Sequence, residues 1–289
     1  MKFGLSIAFT EPSDYCDLAK VAQESGFWAI TLPDHLIYPA ELSVPYPYTE
    51  DGTPRFAETD PFPDPWISIV AMSQVASRLH YYTNVYVLPA RNPFHVAKIL
   101  STVSHFTDGR MGLGIGVGWM PEEFEVSDMD FKKRGKRTDE MIEVMKKLWT
   151  GERVEHHGEF YDFAPLRMAP KPKKPIPIYV GGFSAPALKR AANNDGWIAD
   201  LHTLAELEAL LEKLSDYRRE AGTLDRDFEI LSFGCIDAMT LGGYHKMGDM
   251  GVTVTTTMPW AIYGHSPAAP LQVKIDSIKR FGDEVISKM

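Results

Sequence analysis

The sequence predicts an α/β fold in which eight parallel strands, each followed by a helix, close into a (β/α)₈ barrel. Short apolar runs alternate with amphipathic helical segments along all 289 residues. The apolar runs lack period-two alternation, which is typical of parallel strands buried on both faces. Eight such repeats fit a closed barrel better than a doubly wound sheet. Closure requires the last strand to pair with the first.

The predicted elements alternate strictly in chain order. The strands cover residues 2–9, 27–33, 82–88, 111–117, 176–180, 196–200, 228–234 and 252–257. The helical patterns cover residues 14–25, 66–78, 94–105, 122–149 with breaks, 184–194, 204–221, 242–249 and 270–287. Gly26 and Gly109 follow two of these helices at the position where glycine commonly ends a helix.

Composition excludes several classes of protein. The hydrophobic content of 44% supports a globular core, which we assign to a single domain over residues 1–289. No apolar run reaches the roughly 18 residues of a membrane span, and the N-terminus is interpreted as a strand, not a signal peptide. The net charge of −9 argues against a nucleic-acid partner. Cys16 and Cys235 form no metal-ligand pattern, so a cytoplasmic protein with reduced thiols is expected.

Two segments are longer than ordinary connections. Residues 36–64, after the second strand, are rich in proline and aromatic residues, and we interpret them as a lid or wall of an active site. Residues 151–175 are predicted to form a hairpin insertion before the fifth strand, with Gly158 at its turn.

In a barrel of this kind the active site lies at the C-terminal ends of the strands. Polar, aromatic and glycine residues follow five of the predicted strands. These residues are Asp34 and His35; Leu88 to Asn92; Gly116, Val117, Gly118 and Trp119; Gly181, Gly182, Phe183 and Ser184; and Met258, Pro259 and Trp260.

His35 is the one histidine at a predicted strand end, and Asp34 precedes it. Histidine as a residue type can change its charge near neutral pH, which suits proton transfer or contact with a ring nitrogen of a redox cofactor. The alternative is a buried histidine with a purely structural role. No spacing of histidine, cysteine and carboxylate residues predicts a metal site.

The turn from Gly181 to Ser184 is the best candidate for phosphate binding. Its glycines let the backbone approach a ligand, and the helix start at Ser184 would favour an anion. The alternative is a plain turn in which Ser184 caps the helix. The glycine run from Gly112 to Gly118 lies within a strand, so it is not interpreted as a dinucleotide-binding loop.

Several quoted motifs together resemble the luciferase-like monooxygenase superfamily, and specifically its branch that uses coenzyme F420. They are LPARNPFHVAK, DGRMGLGIGVGWMPEEF, DFKKRGKRTDE, LWTGE and IPIYVGGFS, with YPYTEDGTP and FPDPW in the N-terminal half. The resemblance covers most of the chain and becomes weaker after about residue 200.

The resemblance implies a (β/α)₈ barrel of the bacterial luciferase-like type that holds F420, or alternatively FMN, at the strand ends. It implies that Asp34 and His35 form the catalytic pair, and that a non-proline cis peptide lies at Asn84–Val85. It also implies a cofactor site and a homodimer that forms through the early helices. The cofactor site would comprise Asn84, Val85, Gly116, Val117, Gly118, Gly181, Gly182, Phe183 and Ser184. The glycines of the strand at 111–117 would give clearance for a flat redox ring, and Gly181, Gly182 and Ser184 would form the phosphate-binding turn.

Three positions depart from the family pattern. Val117 stands where bacterial luciferase has an arginine that contacts phosphate. Trp119 stands where sugar-phosphate dehydrogenases of the F420 branch have a glutamate. Glu122 and Glu123 lie nearby, one turn further along, and the structural alternative for Glu123 is a helix-start charge that complements the helix dipole.

Three functional hypotheses follow. The first is an oxidoreductase that moves a hydride between F420 and a small organic substrate, while the protein positions both. The second is a monooxygenase that uses FMN reduced by a partner reductase, and the third is a non-catalytic carrier of flavin or F420. A basic run at residues 132–137 could hold the polyanionic tail of F420. The predicted substrate pocket comprises Tyr46, Tyr48, Trp66, Trp119 and Trp260.

Overall fold

The computed structural model describes residues 1–289 and shows a closed parallel barrel surrounded by helices. The first half contains β1 (Lys2–Ser6), α1 (Tyr15–Glu24), β2 (Ala29–Leu32), α2 (Pro65–Ser73), β3 (His80–Thr83), β4 (Tyr86–Val87), α3 (Pro93–Phe106), β5 (Met111–Gly116), α4 (Pro121–Val126) and α5 (Arg134–Trp149). The second half contains β6 (Val154–His157), β7 (Asp162–Leu166), β8 (Ile178–Gly181), α6 (Ala185–Ala192), β9 (Gly196–Ala199), α7 (Leu204–Glu220), β10 (Glu229–Ser232), α8 (Leu241–Asp249), β11 (Val254–Thr257), α9 (Pro259–Ile262) and α10 (Leu271–Glu284).

Pairing between the first and last strands closes the barrel. β1 pairs in parallel with β11, with Gly4 opposite Thr256, and β1 also pairs with β2. The circuit continues through β3, β5, β8, β9 and β10, and every pair in it is parallel. The predicted (β/α)₈ barrel is therefore confirmed.

The third barrel strand differs from the prediction of residues 82–88. The strand β3 ends at Thr83, the Asn84–Val85 peptide is cis, and β4 then resumes the pairing with β5. The run YTNVYVL has no proline or glycine to mark this interruption, so its apolar pattern predicted one continuous strand. The non-proline cis peptide itself lies where the family resemblance implied it.

The insertion before the fifth barrel strand is a hairpin, as predicted. β6 and β7 pair antiparallel, and the carboxylate of Glu140 on α5 accepts hydrogen bonds from the N–H groups of Phe160 and Tyr161 at the hairpin turn. The hairpin therefore lies along α5. Gly26 and Gly109 have φ values of 85° and 71°, which agrees with their predicted roles at helix ends.

The main hydrophobic core lies between the barrel and its helices, and a smaller cluster fills the barrel itself. The inner cluster includes Tyr82, Tyr179, Ile198 and Leu231. Burying a side chain of this size contributes about 1.5–3 kcal/mol. None of the helices combines the length and the hydrophobicity needed to span a lipid bilayer.

Candidate active site

Asp34 anchors the end of β2 to the segment that follows β4. Its carboxylate accepts hydrogen bonds from the Val87 N–H at 2.9 Å and from Arg91 Nη2 at 2.8 Å. Burial raises the pKa of the Asp34 carboxyl, and the guanidinium of Arg91 opposes that rise. Arg91 also donates to the Val87 carbonyl and stacks on the ring of Tyr86. Because both carboxylate oxygens are used in these contacts, the role of Asp34 is to position the backbone at the end of β2 and at Val87.

His35, the next residue, is held by a carboxylate that the sequence did not indicate. Glu123 Oε1 lies 3.2 Å from His35 Nδ1 and accepts the Leu36 N–H at 2.7 Å. The Glu123 side chain is fully buried, and its second oxygen, Oε2, has no partner. His35 Nε2 makes no hydrogen bond within the chain. A hydrogen-bonded Nδ1 and a free Nε2 leave one ring nitrogen available for a ligand.

The interpretation of Glu123 as a helix-start charge agrees with its place in α4 but leaves out its contacts with His35 and Leu36. Glu123 does lie in the first turn of α4, but its side chain points into the protein and contacts the end of β2. The available signal was an acidic pair, Glu122 and Glu123, only a few residues after the end of a barrel strand. At that position a carboxylate can reach the site itself.

Aromatic rings enclose the imidazole of His35. The ring centroids of Phe56, Phe62 and Trp119 lie 4.9, 5.1 and 6.1 Å from that of His35. The ring of Tyr46 packs 5.2 Å from that of Trp119. Burial raises the pKa of Tyr46 to about 12, so its phenol is neutral near pH 7. Phe56 and Phe62 come from the long segment after β2, which supports its interpretation as a lid.

The lid, residues 36–64, is attached to three other strand ends. Arg55 Nη1 lies 2.9 and 3.0 Å from the two carboxylate oxygens of Asp200, after β9. The Ser43 N–H donates to Glu122 after β5, and the ring of Tyr48 packs on that of Phe183 after β8. The lid therefore lies across the C-terminal opening of the barrel.

The glycines that end β5 and β8 accommodate the side chain of Val85. A Cβ added at Gly116 or at Gly181 would lie 2.7 Å from a Val85 methyl carbon. A Cβ added at Gly118, where φ is +79°, would lie 2.8 Å from the Val87 side chain. Val85 therefore occupies the space beside Gly116 and Gly181, and clearance for a redox ring along the glycine run of β5 stays a prediction.

The turn after β8 presents unpaired backbone donors. The N–H groups of Gly182, Phe183 and Ser184 donate no hydrogen bond within the chain. Gly182 has a φ of +106°, a conformation that favours glycine. Ser184 Oγ accepts the Ala187 N–H at 3.4 Å and so caps α6. Ser184 therefore caps the helix, while the three N–H groups remain available to an anion, so phosphate binding at this turn stays a prediction.

Part of the basic run at residues 132–137 is used in structural contacts. Lys133 pairs with Glu159, Arg134 donates to the Gly118 carbonyl, and Arg137 stacks on the ring of Phe160. Lys132 and Lys136 are exposed and form no ion pair. The Gly135 carbonyl accepts Arg190 Nη2 from α6, so the run lies beside the helix that Ser184 caps.

Two predicted pocket residues are not part of this arrangement. Trp66, on α2, and Trp260, at the start of α9, are fully buried in the main hydrophobic core. Neither ring contacts His35 or the aromatic residues around it. Val117 is half-buried directly after β5, between Gly116 and Gly118. The structure thus brings Tyr46 and Trp119 to His35, and Tyr48 to Phe183, but not Trp66 or Trp260.

Comparison with known proteins agrees with this architecture. The sequence model of luciferase-like monooxygenases matches residues 1–236. An uncharacterized protein of Mycobacterium tuberculosis is 38% identical over 291 residues, which cover 100% of both chains. An F420-dependent glucose-6-phosphate dehydrogenase of Segniliparus rotundus is 30% identical over 230 residues, which cover 76% of this chain and 64% of the relative.

A solved structure shows the same fold over the whole chain. It is an F420-dependent secondary alcohol dehydrogenase in complex with an F420-acetone adduct, with a TM-score of 0.77. The alignment covers 100% of this chain and 99% of that chain at 15% identity, so it shows a shared barrel. The family match spans most of the sequence, and a relative is similar over its full length. The chain therefore belongs to the luciferase-like monooxygenase family of oxidoreductases, in the branch that includes F420-dependent enzymes.

Proposed function

We propose that this protein transfers a hydride between coenzyme F420 and a small organic substrate, with His35 as the proton-handling residue. The observation that carries the proposal is the arrangement of His35, whose Nδ1 is held by Glu123 while Nε2 has no protein partner. The relative from Segniliparus rotundus, an F420-dependent dehydrogenase, supports F420 over FMN.

The residues at the strand ends fit a phosphate-bearing cofactor. The N–H groups of Gly182, Phe183 and Ser184 form a row of free donors at a helix start, where an anion is stabilised. Lys132 and Lys136, beside α6, would add positive charge toward the polyanionic tail of F420. When bound, the deazaflavin ring would supply the hydride chemistry.

The protein would position, protonate and exclude water. Glu123 would orient the imidazole so that Nε2 exchanges a proton with the substrate during hydride transfer. The ion pair of Asp34 with Arg91 would hold the end of β2 against the segment after β4. The lid, held by Arg55 and Asp200, would keep the reacting groups away from bulk water.

The test is a fluorescence titration of the purified protein with F420 and, separately, with FMN. Saturable quenching of F420 fluorescence is expected, with FMN at least about ten-fold weaker, which corresponds to about 1.4 kcal/mol. Turnover of F420 with an active substrate should fall by about a hundred-fold or more in His35→Ala. Tight FMN binding without a response to F420 would contradict the proposal and favour the monooxygenase hypothesis. Binding without turnover over a broad substrate panel, unchanged in His35→Ala, would favour the carrier.

We also propose that the protein is a homodimer that forms through the outer faces of α2 and α3. Ile67 on α2 is 74% exposed, and Ile99 and Phe106 on α3 are 39% and 54% exposed. These exposed apolar side chains lie on two neighbouring helices, and exposed apolar surface is typical of an interaction site.

A further inference from the structure

The side chains that pack around the imidazole of His35 are mainly aromatic. Phe56, Phe62 and Trp119 surround the imidazole, and Tyr46 extends this aromatic group on the side of Trp119. Apart from Glu123, which lies beside Nδ1, no charged side chain forms an ion pair with the imidazole. The rings that pack around the imidazole are therefore apolar and flat.

Positive charge is scarce at this end of the barrel. Apart from the basic run at 132–137, the segments that follow the barrel strands contain two lysine or arginine residues, Arg55 and Arg91. These segments cover residues 7–14, 33–64, 84–92, 117–131, 182–186, 200–204, 233–241 and 258–271.

Both of these arginines are already paired. Arg55 binds the Asp200 carboxylate and also donates to the Tyr48 carbonyl at 2.6 Å. Arg91 binds the Asp34 carboxylate at 2.8 Å, and its side chain is only 14% exposed. Each guanidinium is thus neutralised by a carboxylate, and neither is free to bind an anionic substrate.

This distribution of charge determines which ligands the site can accept. A phosphate that moves from water into an apolar enclosure loses its hydration and finds no cation there, which costs several kcal/mol. A polar, uncharged sugar would leave hydroxyl groups without partners among aromatic rings. A flat or cyclic apolar molecule can instead replace the ring-to-ring contacts of the enclosure with similar contacts of its own.

We propose that the substrate is an uncharged molecule with a cyclic apolar body, and that Phe56, Phe62 and Trp119 determine this specificity. The proposal rests on the proposed function in that His35 Nε2 is taken as the proton-handling atom beside the reacting carbon. For a secondary alcohol, a bound oxidised deazaflavin would supply the acceptor for the carbinol hydride, and His35 Nε2 would accept the hydroxyl proton, so that a ketone is left.

The test measures dissociation constants by ligand-observed NMR for four probes, on the full-length protein with and without F420. The probes are cyclohexanone, which is apolar and uncharged; glucose, which is polar and uncharged; glucose 6-phosphate, which is anionic; and cyclohexylamine, which is cationic. Cyclohexanone should bind at least about ten-fold more tightly than each of the others. Phe56→Ala should weaken cyclohexanone binding by about ten-fold, and Phe56→Leu by less. The control Phe228→Leu, at the opposite end of the barrel, should leave it unchanged.

The proposal is overturned if glucose 6-phosphate or cyclohexylamine binds as tightly as cyclohexanone. It is also overturned if Phe56→Leu and Phe56→Ala, both folded by circular dichroism, bind cyclohexanone like the original protein. F420 fluorescence, recorded on the same samples, separates this outcome from failure of the proposed function. Selective ketone binding without any F420 response would refute the cofactor assignment alone.

Discussion

Glu123 Oε1 lies 3.2 Å from His35 Nδ1, and the two residues are 88 positions apart in the sequence. The same oxygen accepts the N–H of Leu36, so one buried carboxylate holds both the imidazole and the backbone beside it. Since Nδ1 faces Glu123, the hydrogen bond favours the tautomer that carries its proton on Nδ1. The open nitrogen, Nε2, is then the one that can accept a proton from a substrate.

Replacement of Glu123 should impair His35 without unfolding the protein. In Glu123→Gln the amide oxygen can still accept the Leu36 N–H, but the charge that orients the imidazole is lost. We expect turnover to fall by about ten- to a hundred-fold, and ¹⁵N NMR of the imidazole to show a mixture of tautomers. Glu122→Gln is the matched control, because Glu122 contacts Ser43 of the lid and not His35. An unchanged tautomer in Glu123→Gln would contradict the assigned role.

The Val85 side chain should be energetically coupled to Gly181. A methyl group added at Gly181 would lie 2.7 Å from Val85 Cγ1, so Gly181→Ala should destabilise the fold by about 1–3 kcal/mol. Val85→Ala removes the obstructing methyl groups, and the double variant should recover part of that loss. Urea unfolding of the two single variants and the double variant gives the coupling. If the changes in the free energy of unfolding of the two single variants simply add in the double variant, the contact with Val85 is not the cause of the destabilisation in Gly181→Ala.

Ser184 should contribute to cofactor binding beyond its role as a helix cap. Ser184→Ala loses the capping bond and should cost about 1 kcal/mol of stability. A lost hydrogen bond to phosphate should also weaken F420 binding by about ten-fold. Thr203→Ala is the matched control, because it removes the cap of α7 with a similar stability cost. If both variants bind F420 equally well, the Ser184 hydroxyl does not contact the phosphate.

His80 should make the free energy of unfolding depend on pH. Burial, with the positive charges of Arg110 and Lys2, lowers the pKa of His80 to about 4 from its usual 6.5. Between these two pH values the folded state binds fewer protons than the unfolded state. His80 therefore does not reduce the free energy of unfolding above about pH 6.5, and it reduces that free energy progressively as the pH falls toward 4. His80→Phe keeps the stacking on Trp28 and should remove this loss.

The measurement for His80 is urea unfolding between pH 4 and 7, as the difference between variant and original protein. As the pH falls, the free energy of unfolding of His80→Phe should rise relative to that of the original protein. His157→Gln, whose original side chain is 66% exposed, is the control and should follow the original protein. Parallel curves for His80→Phe and the original protein would show that His80 is not responsible.

A charge at the outer face of α2 should dissociate the proposed dimer. Ile67→Asp introduces an unpaired carboxylate into a surface that the partner subunit would bury, which carries a desolvation cost of several kcal/mol. Light scattering after gel filtration should show a dimer for the original protein and a monomer for Ile67→Asp. Leu224→Asp alters another exposed apolar residue and should remain dimeric. A monomeric original protein would end the proposal.

Much of the fold could be predicted because strand and helix formation leave a local pattern. Strands buried on both faces are apolar throughout, and the helices between them carry one apolar stripe, so their order was readable from the sequence alone. Parallel strands in a barrel share one C-terminal edge, and His35 and the turn from Gly181 to Ser184 were therefore predicted at the same end. The cis peptide at Asn84–Val85 followed from resemblance, since no local pattern marks it.

The sequence by itself determined the repeat of strands and helices, the edge that carries the site, and His35 as its candidate proton carrier. Only the tertiary structure decided that Glu123 supports His35, that Val85 fills the space beside Gly116 and Gly181, and that Trp66 and Trp260 belong to the core. The physical reason is that periodicity reports whether a side chain is buried, not which remote residue it meets. That contact depends on the register and closure of the barrel, which bring together side chains that lie far apart in the chain.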